Sequence, residues 1–140
     1  EPVARMLYEA QTFTDVTNGG FFCWGTWGDS PDGLASTDGV IEIKTMVGSE
    51  TLFTAVASGD VSAYMDQCIG YLWLLGRQWV DLVPWAPGFG HMVIHRITRD
   101  EHAIEALESD LLAFAKLVQS YEDTLRTALA SNDEQAKQAA

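Results

Sequence analysis

Basic residues are scarce in this chain. Eight Lys and Arg stand against 20 Asp and Glu, a formal net charge of −12. That balance excludes a broad basic surface tracking nucleic-acid phosphates. It does not exclude phosphate chemistry at an acidic site, where a bound cation supplies the positive charge. Cysteine is almost missing. Cys23 and Cys68 form no CxxC pair and no framework of several pairs. A zinc or iron–sulfur cluster built on cysteine therefore lacks ligands, and both residues are expected as buried free thiols in a reducing cytosol. No apolar run approaches the roughly 18–20 residues of a membrane-spanning helix. No basic n-region followed by an apolar h-region opens the chain. An initiator Met is also lacking; the sequence starts at Glu1 and reads as a fragment at that end. Histidine is too sparse for an imidazole metal centre. His91 and His95 would share a strand face, but no third ligand accompanies them.

What is present suits one soluble domain. The 140 residues are 47% apolar and 20% charged, enough for a single core. Val3, Met6, Leu7 and Ala10 recur at helical spacing, and Pro2 suits a first turn. Residues 11–47 read as an antiparallel meander: a Thr-rich strand over 11–17, an Asn18-Gly19-Gly20 turn, an aromatic strand from Phe21 to Trp27, and a hairpin signalled by Asp38-Gly39. A short helix over Glu50–Ser58 should end at Gly59. Asp60 should cap a helix from Val61 to Leu75 that stops at Gly76. Strands are expected over Gln78–Trp85 and Met92–Ile97, with a Pro- and Gly-rich turn between them. A long helix from Arg99 to about Ala130 carries an apolar stripe from Ile104 through Leu107, Leu111, Phe114, Val118 and Tyr121 to Leu125. The expected architecture is α/β, a mixed β-sheet flanked by helices, in one domain over 1–130 with a polar, frayed tail over 131–140.

The chemistry concentrates in SPDGLASTDGVIEIK, residues 30–44. In a strand from Val40 to Val47, alternation puts Ile41, Ile43 and Thr45 on one face and Glu42 and Lys44 on the other. Glu42 and Lys44 then lie about 6–7 Å apart. Folding back through the Asp38-Gly39 turn brings Asp32 beside Glu42. Two carboxylates at one point repel unless a cation sits between them, and a hard divalent ion with oxygen ligands suits that place. A lysine beside them can orient a metal-bound water and stabilise developing negative charge. Pro31-Asp32, nine residues, then Glu42-Ile43-Lys44 matches the PD-(D/E)xK nuclease signature. Read alone, Asp32 is equally an ordinary turn residue, and Glu42 with Lys44 a charged pair on an exposed strand.

Further blocks in the same order resemble one family. SPDGL at 30–34, IEIK at 41–44, SAYMDQ at 62–67 and LWLLGRQWVDLVPWAP at 72–87 resemble the lambda-type phage exonucleases (the YqaJ-like viral recombinases). EPVAR at 1–5 is similar to the family's helix motif, a glutamate two residues before Ala-Arg. The resemblance implies a restriction-endonuclease-like core and 5′→3′ hydrolysis of one strand at double-stranded DNA ends, with Mg²⁺ as cofactor and Mn²⁺ as substitute. Asp32 and Glu42 would be metal ligands with the Ile43 carbonyl, Glu1 would complete the metal site, Lys44 would be the catalytic lysine, and Gln67 would lie beside it. Ser30 would help to hold the 5′-phosphate. The resemblance also implies a trimeric ring, a single-strand annealing protein as partner, and a phage or prophage protein in the bacterial cytoplasm. Thr45-Met46 replaces the Cys-Pro that often follows Glu-Ile-Lys. The family's N-terminal region, which supplies an arginine to the 5′-phosphate pocket, has no counterpart in this sequence. Two rivals stand beside this reading: an endonuclease of the same superfamily, and a non-catalytic binding module that keeps the fold.

Elsewhere the residues point to structure. Gln67 and Tyr71 share one helix face. Trp24, Trp27, Trp73 and Trp79 are expected in the core, with Trp85 the exception. Arg77, Arg96 and Arg99 are the available phosphate contacts, and His102 is expected at the surface.

Overall fold

The computed structural model describes residues 2–88, 90 and 92–138, with side chains up to 131. Helix α1 (Pro2–Thr12) leads into strands β1 (Val16–Asn18), β2 (Phe22–Trp24), β3 (Trp27–Asp29), β4 (Gly33–Ala35) and β5 (Gly39–Thr45). Helices α2 (Ser49–Val56) and α3 (Met65–Leu75) follow, then β6 (Trp79–Trp85), β7 (His95–Thr98) and α4 (Glu101–Gln138). Five strands form one sheet in the order β1-β4-β5-β6-β7, and β2-β3 is a separate hairpin. Among the described residues only β5 and β6 run parallel, joined by the α2–α3 crossover; the other pairs are antiparallel. The mixed sheet flanked by helices is the expected fold class.

Alternation along β5 divides the core in two. Ile41 and Ile43 pack with Ala4 and Tyr8 of α1, Val83 and Met92. Val40 packs on the other face with Cys68, Tyr71 and Leu72 of α3, Val80 and Leu82. One polar group enters the first face. Asp81 is 1% exposed. It accepts the Tyr8 hydroxyl at 2.7 Å and two Arg96 N–H groups at 2.8 Å each. Both carboxylate oxygens are thus satisfied, as a buried charge requires. Arg96 also lies over the Trp79 ring, 3.9 Å from its centroid.

Gly76 ends α3 at φ +66°, as the sequence suggests. The start differs: α3 begins at Met65 rather than Val61, after a single 3₁₀ turn over Ser62–Tyr64, and Asp60 caps neither helix; its Oδ1 accepts the Ser62 N–H at 3.0 Å in a local turn.

Other boundaries differ. α1 runs through Gln11 and Thr12, which read as strand. Gln11 is held by both main-chain groups of Met92, and Thr12 Oγ1 bonds back to Tyr8 O. These tertiary and local bonds extend the last turn, and Phe13 then leaves it at φ +54°. The aromatic segment 21–27 is not one strand but the β2–β3 hairpin, turning at Gly25 with φ +61°. Its tip is out of the core: Trp24 is 63% exposed, and Cys23 is exposed rather than buried. Trp85, by contrast, packs against the α1 side of the core.

The chain divides into two compact units, Glu1–Ile104 and Glu105–Ala140. The sequence gives no sign of this division because α4 passes through it unbroken. Ile104 is buried in the first unit, whereas Phe114, Val118, Tyr121 and Leu125 of the second are exposed. No described helix is long and apolar enough to cross a membrane.

Candidate active site

The β4–β5 hairpin assembles the site. Its register pairs Gly33 with Ile41 and Ala35 with Gly39, so one residue further Asp32 stands across from Glu42. The Asp38-Gly39 hairpin therefore forms, although its positive φ falls on Ser36, at +51°. Gly39 is needed for room: a Cβ there would lie 2.2 Å from the Trp79 ring. Asp32 Oδ2 accepts the Ile43 main-chain N–H at 2.7 Å, which ties the start of β4 to β5.

Glu42 is 4% exposed, and its carboxylate is fully enmeshed. Oε1 accepts Lys44 Nζ at 2.7 Å and Gln67 Nε2 at 3.2 Å; Oε2 accepts the Tyr71 hydroxyl at 2.7 Å. Gln67 closes the ring of bonds. Its Oε1 accepts Lys44 Nζ at 2.7 Å, and its Nε2 donates to the Tyr71 hydroxyl at 2.7 Å. Lys44 also stands 5.4 Å from the centre of the Tyr64 ring. The strand supplies Glu42 and Lys44 on one face, and one face of α3 supplies Gln67 and Tyr71. Lys44 and Glu42 are therefore neither a solvated pair nor an isolated buried charge. They form a hydrogen-bonded network at the edge of the core.

Three groups around this network were not among the site residues read from sequence. Tyr71 binds Glu42 directly, and its spacing of four from Gln67 was the available signal. Burial first, then its bond to Glu42, raises the Tyr71 pKa far above the usual phenol range. Asp29 lies close by. Burial and the negative charge of Glu42 raise its carboxyl, opposed by the Ser30 N–H bond and by Lys44. No sequence spacing announces Asp29, since the β2–β3 hairpin brings it there. Burial pushes the neighbouring Cys68 thiol up to about 12, with Glu42 adding to the effect.

Ser30 flanks the site, and its hydroxyl donates to Gly20 O at 3.0 Å. Glu1 and His91 lie outside the described residues. His95 donates from Nε2 to Ala55 O at 2.9 Å, a structural bond. The three expected phosphate contacts are likewise committed within the protein. Arg77 donates to Ser36 O and Gly39 O, Arg96 to Asp81, and Arg99 to Leu72 O and Glu101.

Among the described residues no three His, Cys, Asp or Glu side chains converge as a metal cage. Asp32 and Glu42 are two oxygen donors, and Asp32 and Ile43 line one cleft. That donor set fits a hard cation that keeps waters and takes one or two carboxylates.

Three solved structures are similar to this chain. An alkaline exonuclease from Laribacter hongkongensis is 29% identical, with a TM-score of 0.84 over 93% of this chain and 70% of its own. The same enzyme in complex with dAMP gives the same values. This chain resembles the lambda-type exonucleases in structure as it does in motif. A phage-related exonuclease from Haemophilus somnus 129PT shares the fold at a TM-score of 0.63 and 16% identity, over 76% of this chain and 61% of its own. No protein-family model and no curated protein sequence matches the chain. The likeness to exonucleases supports a nuclease function.

Proposed function

We propose that this chain is a metal-dependent exodeoxyribonuclease that degrades one strand of double-stranded DNA from a 5′ end. The observation that carries this reading is the Glu42 carboxylate, bound at once by Lys44, Gln67 and Tyr71 with Asp32 across the hairpin, within an exonuclease-like fold. Asp32, Glu42 and the Ile43 carbonyl would hold Mg²⁺, or Mn²⁺ in its place, with Glu1 completing the set by resemblance. When bound, such a metal polarises the scissile phosphate and lowers the pKa of a coordinated water.

The protein's own part is positioning. Gln67 and Tyr71 fix the Glu42 carboxylate in one orientation, the supporting role that outer groups play around ligating carboxylates. Lys44 is steered by Glu42 and Gln67 toward the same point, where its ammonium orients the attacking water and offsets charge developing on the phosphate. Ser30 would exchange its bond to Gly20 O for one to the 5′-phosphate. A single-strand annealing partner, a trimeric assembly and a phage-type setting in the bacterial cytoplasm complete the proposal, and these rest on resemblance alone.

The test is degradation of linear duplex DNA, with and without a 5′-phosphate, in Mg²⁺ and in chelator. Mononucleotide release from 5′-phosphorylated ends in Mg²⁺ is expected, with supercoiled circles left intact. Cleavage of the circles would instead identify an endonuclease. In parallel, millimolar Mg²⁺ or Mn²⁺ should raise the melting temperature. Glu42→Gln and Asp32→Asn should diminish that rise, while Lys44→Ala should keep it and abolish cleavage. Neither cleavage nor a metal-dependent shift would leave a non-catalytic module.

A further inference from the structure

We infer that Arg5 is a substrate-binding residue that contacts a backbone phosphate of the nucleic-acid strand in the cleft beside Asp32. The inference rests on the nuclease reading above. Its basis is an account of the cations. The first unit contains five Lys and Arg side chains: Arg5, Lys44, Arg77, Arg96 and Arg99. Lys44 is bound to Glu42 and Gln67, and the last three are bound to carbonyls or carboxylates of the fold.

Arg5 is placed differently. It lies on α1 and borders a cleft of about 380 Å³, with Pro2, Met6 and Glu9 on its own helix and Asn18, Asp32 and Ile43 opposite. That volume is within the range of small ligand pockets. The guanidinium is oriented but not exhausted. One N–H donates to Asn18 Oδ1 at 2.8 Å, and Nε stands 3.7 Å from Glu9 Oε1. Glu9 is itself fixed by the Val16 main-chain N–H at 2.9 Å. A guanidinium carries five N–H donors in a rigid fork that suits phosphate oxygens. Asn18 and Glu9 therefore act as a bracket, and the side chain remains 27% exposed at the cleft. A polyanionic strand reaching Asp32 in a protein of charge −12 meets repulsion unless a cation lines its path. Arg5 is the Lys or Arg that lines the cleft with Asp32 and Ile43.

The test measures kcat and KM on linear duplex in Mg²⁺ across a salt series, with melting temperatures alongside. Each phosphate contact contributes about 0.9 to the slope of log affinity against log salt on B-DNA. Arg5→Gln is expected to raise KM more than it lowers kcat, and to flatten the salt dependence of kcat/KM by about that amount. Arg5→Lys should keep the slope, and Arg126→Gln, far along α4, should leave it unaltered. On the unsubstituted chain, phenylglyoxal labelling of Arg5 should slow in the presence of duplex while labelling of Arg126 does not. An unchanged slope in a folded Arg5→Gln variant, or equal Arg5 labelling with and without duplex, overturns the inference and leaves the nuclease reading intact. Absence of cleavage by the unsubstituted chain overturns the nuclease reading itself.

Discussion

The Tyr71 hydroxyl donates to Glu42 Oε2 and accepts from Gln67 Nε2, both at 2.7 Å. Replacing it with hydrogen leaves a buried carboxylate oxygen without its donor and a glutamine N–H without its acceptor. Tyr71→Phe should cost about 1–3 kcal/mol of stability in urea denaturation, the usual penalty for an orphaned buried polar group. It should also weaken metal-dependent activity by about 10–100-fold, as loss of an outer-shell partner does. The informative measurement is the metal concentration for half-maximal rate, which a purely structural tyrosine would not move. At this scale Glu42 and Lys44 were legible because strand periodicity fixes which side chains share a face, whereas Gln67 shared a helix face with Tyr71 by spacing and was placed beside the site by resemblance. Asp29 was not, since neither local spacing nor residue type distinguishes it from a surface charge, and the EPVAR motif that contains Arg5 gave no sign that its side chain borders a cleft with Asp32. The hairpin that carries Asp29 and the cleft that Arg5 borders exist only after distant segments have met.

Among the elements, the turn after β1 matters most to the site. Gly19 passes so close to Pro31 that a Cβ at 19 would lie 1.8 Å from the Pro31 carbonyl oxygen. That atom is backbone, so no rotamer change can make room. Gly19→Ala should therefore shift the Ser30–Asp32 segment as well as destabilise the fold by about 1–3 kcal/mol. Activity should fall further than the lost stability explains, which a comparison of kcat with the folded fraction would show. A wild-type kcat per folded molecule would refute the coupling between this turn and Asp32. Asn18-Gly19-Gly20 was legible as a turn. Its second purpose, close approach to the proline before Asp32, depends on a contact 12 residues away in sequence and left no mark on the local pattern. The same limit explains the β2–β3 hairpin: a run of aromatic residues reads as one strand until Gly25 turns it back.

At the scale of the whole molecule, three acids are kept neutral in the interior. Cys68 is raised to about 12, and Tyr8 and Tyr71 are raised well above the usual phenol value, in each case chiefly by burial. In the unfolded chain these groups lose their protons from about pH 9–10 upward. Above that pH the unfolded state binds fewer protons than the folded one, so stability falls as pH rises. The melting temperature should stay level from about pH 7 to 9 and then drop steeply. Tyrosinate absorbance should show Tyr8 and Tyr71 ionising only as the protein unfolds. Early, non-cooperative ionisation of all four tyrosines would refute that burial.

The sequence by itself determined the elements that carry the Glu42 network and the faces on which Glu42, Lys44, Gln67 and Tyr71 lie. Those properties follow from periodicity within single segments and from stop signals such as Gly76. Tertiary structure decided which charges are structural and which border the cleft. Arg77, Arg96 and Arg99 are tied to the fold because main-chain carbonyls and the buried Asp81 take their N–H groups. Arg5 is held at the opening beside Asp32, because α1 packs across the sheet with that residue at its rim. A side chain's partners are set by long-range packing, which no single segment encodes.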